Sequence, residues 1–189
     1  VTVFVFVVIL VLAVLVYSAS VERRVRRYRS NTAASRHLVT VELERRYIQL
    51  EPFIAAIDLS GLDPEVVRQL VGARSWSKAV RDRGLGLAAQ AAAENALSAA
   101  VHAVLSESDT HQKLKSNWAF QGPARDLETT EKRIAGAVRV YNDNAYKLSM
   151  LRSSFTTKFM ATALKVADPE PFVEHVAVAS DEHPEDVPA

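Results

Sequence analysis

Residues 1–19 read VTVFVFVVILVLAVLVYSA, an uncharged run in which only Thr2, Tyr17 and Ser18 carry polar side chains. A helix of that length rises about 28 Å, close to the ~30 Å hydrocarbon core of a bilayer. A helix is also the form in which a lone segment satisfies its own backbone in lipid. The run therefore predicts a membrane span, and whatever follows must fold while tethered at its N-terminal end. The competing reading is a cleaved secretory leader, with small residues near Ser18 and Ser20 as the cleavage point. Against it, the run exceeds the ~7–15 apolar residues usual for a leader.

Directly after the span comes SVERRVRRYRS, with Arg23, Arg24, Arg26, Arg27 and Arg29 against the single Glu22. Arginines clustered just past a span mark its cytoplasmic side. The expected topology is N-terminus out and the remaining domain in the cytosol, at the cell membrane. The same arginines are suited to anionic headgroups.

The chain has 23 Lys+Arg and 22 Asp+Glu, so net charge points to no particular class of partner. Cysteine is absent, which removes disulfides, thiolate metal sites and a Cys nucleophile. Charge is unevenly placed, basic beside the span and acidic at the end. From Ala167 onward there are seven acids, four prolines and no Lys or Arg, and residues 164–189 read as an acidic, disordered tail. The organisation is then a span over 1–19, a basic juxtamembrane helix over 20–34, a helical domain over 35–163 and the tail.

That domain reads as all-α, an antiparallel up-and-down bundle of about four helices. The first runs from about Glu22 to Ile57, continuous with the span. Leu43, Tyr47, Leu50, Ile54 and Ile57 step by four and three, a narrow coiled-coil-like seam. Pro52 lies inside it and should kink it by freeing the Ile48 carbonyl. Gly61 suits a helix stop, and Asp63-Pro64-Glu65 a start. A second helix is expected over Pro64–Arg83, with Val66, Val67, Leu70, Val71 and Trp76 as its apolar positions, and an alanine-rich third over Leu87–Leu105. Pro123 should open the last, over 124–161, with Leu127, Ile134, Val138, Tyr141, Ala145, Leu148 and Phe155 on one seam. Glu131 and Arg152 share that seam.

Several pieces of this sequence resemble the signatures of the LemA family. They are Leu43-Glu44-Arg45-Arg46-Tyr47 after Val41, then Leu114 to Asn117 with Phe120, Leu127, Thr130-Glu131, Arg133-Ile134-Ala135 and Tyr141-Asn142-Asp143. Their order and spacing match the family pattern over about residues 1–160. Tyr47, Asn117, Phe120, Ile134, Tyr141 and Asn142 are the motif positions. Departures fall at Glu51-Pro52, Pro123-Ala124, Leu148-Ser149 and Phe155-Thr156, which makes this a divergent member. The resemblance implies a membrane-anchored antiparallel helical bundle and brings no catalytic residue or cofactor with it.

Nothing else in the sequence supplies chemistry. The five histidines form no HExxH or i, i+4 ligand pair, and no serine lies in a GxSxG turn. Gly84-Leu85-Gly86 is too short for a phosphate loop. The acids from Asp181 to Asp186 read as solvated, not as a metal site. Lys113, Lys115, Trp118 and Phe120 lack the wider basic surface that nucleic acid needs, and Trp76 and Trp118 are expected to pack. Arg45, Arg46 and Glu131 are the sharpest candidates, as an interhelical ion pair fixing the register of two long helices. The expectation is a non-enzymatic interaction or scaffold protein, using no cofactor, with other membrane proteins or a second copy as partners. The alternatives are a regulatory partner of a membrane protease or envelope-stress system and, more remotely, an unrecognised hydrolase.

Overall fold

The computed structural model describes residues 2–58 and 61–173. Among the described residues six helices follow one another: α1 (Thr2–Asp58), α2 (Pro64–Asp82), α3 (Leu87–Ser108), α4 (Gln112–Lys115), α5 (Trp118–Ser153) and α6 (Phe155–Ala163). Among the described residues there is no strand. The architecture is a helical bundle in which α1 packs chiefly on α5, and α2 on α3.

α1 is one unbroken helix of 57 residues. Its first eighteen described residues lie outside the bundle, almost wholly exposed, while Val21 and Val25 are already buried. The separate juxtamembrane stretch expected over 20–34 is thus part of the bundle. Ser18 and Ser20 turn their hydroxyls back onto the carbonyls of Val14 and Val16, each at 2.8 Å. The apolar run therefore ends with its polar side chains satisfied inside the helix. Pro52 does not stop the helix, which runs six residues further to Asp58. Proline costs one backbone bond there, and Phe53 and Ile57, both buried, hold the last turns against the core.

α2 starts as its sequence directs. Asp63 is the N-cap, its carboxylate accepts from Glu65 N–H at 2.8 Å, and Pro64 takes the first turn. It ends on Gly84 at φ +61, with Gly84 N–H to the Arg81 carbonyl and Leu85 N–H to the Val80 carbonyl. That pair of bonds is the Schellman ending, which needs a left-handed residue. On this helix Leu70, Ser77 and Val80 are buried, whereas Val71 and Trp76 are exposed.

α5 departs from expectation at both ends. It begins at Trp118, not near Pro123, because Asn117 is the better cap: its side chain accepts from Ala119 N–H at 3.0 Å. Pro123 sits inside the helix, and Trp118, expected to pack, is 83% exposed while Phe120 takes the inward position beside Phe53. At the far end Ser154 turns to ψ 131 and separates α5 from α6. Thr157 seals the break by donating its hydroxyl to the Leu151 carbonyl.

The core has two sections. Far from the span all four long helices meet around Leu50, Phe53, Leu70, Leu97, Val101 and Leu127. Near the span α2 and α3 are absent, and α1 packs against α5, Leu164 and Val166 through Val21, Val25 and Leu148. Between them lies a patch with Val39, Leu43, Ile134, Val138, Tyr141 and Phe172.

Residues 164–173 correct the reading of a disordered tail from 164. Val166 and Phe172 are buried. The segment leaves the span-side cluster and climbs to the middle patch. Six extended residues reach about 20 Å, and Val25 to Val39 along α1 is about 21 Å, so the climb needs a nearly extended chain. Composition missed this because two apolar side chains and main-chain bonds suffice to hold a segment that is otherwise acidic and proline-rich.

Candidate functional site

Two constructions stand out, a buried ionic node and a groove holding the strap formed by residues 166–173.

The node is centred on Arg46, whose side chain is 1% exposed. Its Nη1 donates to Glu131 Oε1 at 3.0 Å and to Ser98 Oγ at 2.5 Å, and its Nη2 pairs with Glu94 Oε2. The other Glu94 oxygen accepts from Ser77 Oγ at 2.8 Å. So α1, α2, α3 and α5 each give a polar side chain to one buried point. Arg46 Nε has no hydrogen-bond partner. A guanidinium fork suits two carboxylates because its donors lie in fixed directions. Glu94 and Glu131 are both less than a tenth exposed, which gives the node no open face to a substrate. The node ties the register of the four helices: sliding α1, α3 or α5 by one residue would strand a buried charge, and sliding α2 would take the Ser77 hydroxyl away from Glu94.

The expected partner of Glu131 is thus Arg46. Arg45 turns outward instead and pairs with Glu42 one turn back, at 2.9 Å. Glu94 was missed by sequence reasoning. The available signal was a lone carboxylate within the alanine-rich stretch from Leu87 to Leu105.

The remaining motif positions are scattered over the fold. Tyr47 lies between two guanidinium groups of α2, with Arg74 5.1 Å and Arg81 4.5 Å from the ring centre, a cation–π arrangement. Arg81 also reaches Glu44 at 2.7 Å. Asn117 caps α5, Phe120 tilts against Phe53 at 5.6 Å, and Ile134 is buried in the middle patch. Arg23, Arg24, Arg26, Arg27 and Arg29 are all exposed, Arg26 pairing with Glu22. His102 and His111 turn Nδ1 to the carbonyls of Ser98 and Glu107. His175, His183 and the acids from Asp181 lie outside the described residues, as do the side chains of Lys113, Lys115 and Phe155.

Tyr141 and Asn142 build the second construction. The Asn142 amide makes two bonds to one residue of the strap: Nδ2 donates to the Phe172 carbonyl and Oδ1 accepts from Phe172 N–H, both at 2.8 Å. Tyr141 Oη donates to the Glu170 carbonyl at 2.6 Å, and Asn95 Nδ2 to the Val173 carbonyl at 2.7 Å. Every one of these bonds goes to main chain. Phe172 itself anchors beside Val39, Leu87 and Tyr141. Burial raises the Tyr141 phenol above its ordinary range, with Arg36 opposing and Glu170 adding to the shift, so it remains a donor at neutral pH.

The sequence model of the LemA family matches residues 35–186. The chain belongs to the LemA family. The match extends beyond the motif region into the segment first read as a tail, and within LemA terms the Tyr141-Asn142 pair is the part of the bundle that grips that segment. None of the curated proteins matches the chain.

Proposed function

We propose that this LemA protein is a single-pass, membrane-anchored interaction module with no catalytic activity of its own. Its bundle would stand on the cytoplasmic side and serve as a scaffold for other membrane proteins or a second copy. The observation that carries the reading is the groove around Asn142. A side-chain amide that bonds both the N–H and the carbonyl of one residue recognises extended chain by its backbone, the general mode of strand-like peptide recognition. Anchoring is supported by α1, the one described helix long and apolar enough to cross a membrane, whose apolar window is unburied. The arginines from Arg23 to Arg29 support the side.

A photo-crosslinking residue at Gln90, which borders the groove, tests the role. In native membranes, a chain truncated after Val166 should give an adduct with one discrete polypeptide, and Asn142→Ala should abolish it. Absence of any discrete adduct, or one indifferent to Asn142, would count against an interaction module. The side is tested with a cysteine at exposed Ala119. It should resist a membrane-impermeant thiol reagent in intact cells and react after lysis.

A further inference from the structure

We propose that the membrane-facing end of the bundle is a binding surface for anionic lipid headgroups, built jointly from the arginines of α1 and the lysines of α6 and the turn after it. The inference rests on residues 2–19 being a span, and it names a partner that topology alone does not require.

The first observation is one of level. Leu148 packs with Val21 and Val25, just past the span. α5 runs antiparallel to α1, so its last residue, Ser153, lies roughly 7.5 Å nearer the bilayer. That is about the level of Ser18, where hydrocarbon gives way to headgroups. The helix breaks there, at Ser154, and α6 follows at that depth. Its Lys158 is exposed, as is Lys165 just beyond it. Residues more than a hundred positions away in sequence are thereby brought to the belt of Arg23, Arg24, Arg26, Arg27 and Arg29.

The second observation is backbone strain. α6 ends with Lys165 N–H on the Thr162 carbonyl and Val166 N–H on the Ala161 carbonyl. This is the same ending that closes α2, but the left-handed position, φ +48, holds a lysine where α2 has Gly84. A side chain in that conformation is strained, and glycine is the usual occupant. Packing offers Lys165 no return, since its side chain is exposed. A cation aimed at headgroups accounts for its presence.

The third observation is the sign of the charge. The carboxylates nearest this end are already engaged, Glu22 with Arg26, Asp143 with Lys147 and Asp168 with Arg152. The arginine belt and both lysines outnumber them, and basic residues within a Debye length of an anionic surface attract it cumulatively.

The test uses the full chain in neutral detergent, titrated with fluorescent phosphatidylglycerol, fluorescent phosphatidylcholine or inorganic phosphate. Phosphatidylglycerol should be retained at least severalfold more tightly than phosphatidylcholine. Lys158→Gln with Lys165→Gly should cut that preference about threefold, with the arginine belt untouched. Lys165→Gly alone should raise the thermal midpoint while weakening retention, which separates lipid binding from folding, and Lys165→Arg should keep it. Equal retention of both lipids, or full retention by the double variant, would overturn the proposal. Displacement of phosphatidylglycerol by millimolar phosphate would assign the surface to a soluble anion and overturn it too. None of these readouts depends on the side of the membrane or on the groove at Asn142, so a failure here is distinct from a failure of the interaction role.

Discussion

The two ends of the bundle solve the same packing problem with different means. Far from the span, four helices meet, supply enough apolar surface for a closed core, and carry a buried Arg46 node that fixes their register. Near the span, α1 and α5 have lost α2 and α3, and two helices cannot enclose a core. There α6, Leu164 and Val166 complete the burial, and the strap then runs on to the middle patch, where backbone bonds at Tyr141, Asn142 and Asn95 and one aromatic anchor hold it. The far end is specified by side chains that must all be right together. The near end depends on a segment that can leave by itself.

The strongest way to break this contrast is Arg46→Ala. It strands two buried carboxylates and should cost about 3–5 kcal/mol, read by chemical denaturation of the full chain in detergent. Glu131→Ala should cost less, since Arg46 keeps Glu94. A double-mutant cycle should show coupling of Glu131 to Arg46 and none to Arg45; coupling to Arg45 would contradict the geometry.

The near end should behave otherwise. Phe172→Ala and truncation after Val166 should cost nearly the same, about 2 kcal/mol from one lost aromatic burial. A detachable segment cannot lose more than its own docking energy. Hydrogen exchange at the Phe172 amide should accelerate in Asn142→Ala while exchange around Leu97 stays slow. Parallel acceleration at both places would merge the two regions into one cooperative unit.

Tyr141→Phe removes one hydrogen bond to the strap and should cost about 1 kcal/mol. It also bears on pH. The folded phenol titrates above the ordinary value of 10.0, so the folded state holds its proton more tightly than the unfolded state. The contribution is complete below pH 10 and is lost as pH rises through the folded value. The stability gap between the wild type and Tyr141→Phe, read by chemical denaturation, should therefore be full at neutral pH and shrink as pH rises on the alkaline side. The smallest effect belongs to Arg45→Ala, a few tenths of a kcal/mol, because its partner Glu42 lies on the same helix and the arginine is 40% exposed.

How legible these features were in the sequence depended on their range. The apolar run, the cap at Asp63 and the seam from Leu127 to Leu148 follow from local spacing, which the backbone obeys wherever nothing competes. Glu131 showed itself as a carboxylate on an apolar seam, but choosing Arg46 over Arg45 required knowing which face of α1 turns inward. Leu43 at 4% and Leu50 at 0% exposure flank Arg46 on that face. The start of α5 was misplaced because Pro123 and Asn117 both carry start signals, and the cap with a side-chain bond prevailed. The strap was unreadable for a deeper reason. Its attachment is through its own backbone, and a main-chain carbonyl looks the same under any sequence.

The continuity of α1 has a mechanical consequence. With no joint between the apolar run and the bundle, and Pro52 near the far end, the helix is a mast whose foot, under the proposed anchoring, stands in a bilayer. Phe53 stands about 50 Å from Ser20 along its axis. A change of ten degrees in the tilt of the span would sweep that point roughly 9 Å sideways, and a rotation of the span about its own axis would swing the strap groove round to face another neighbour. Bilayer thickness and lateral crowding, both of which set the tilt of a span, would then be converted into where the groove points.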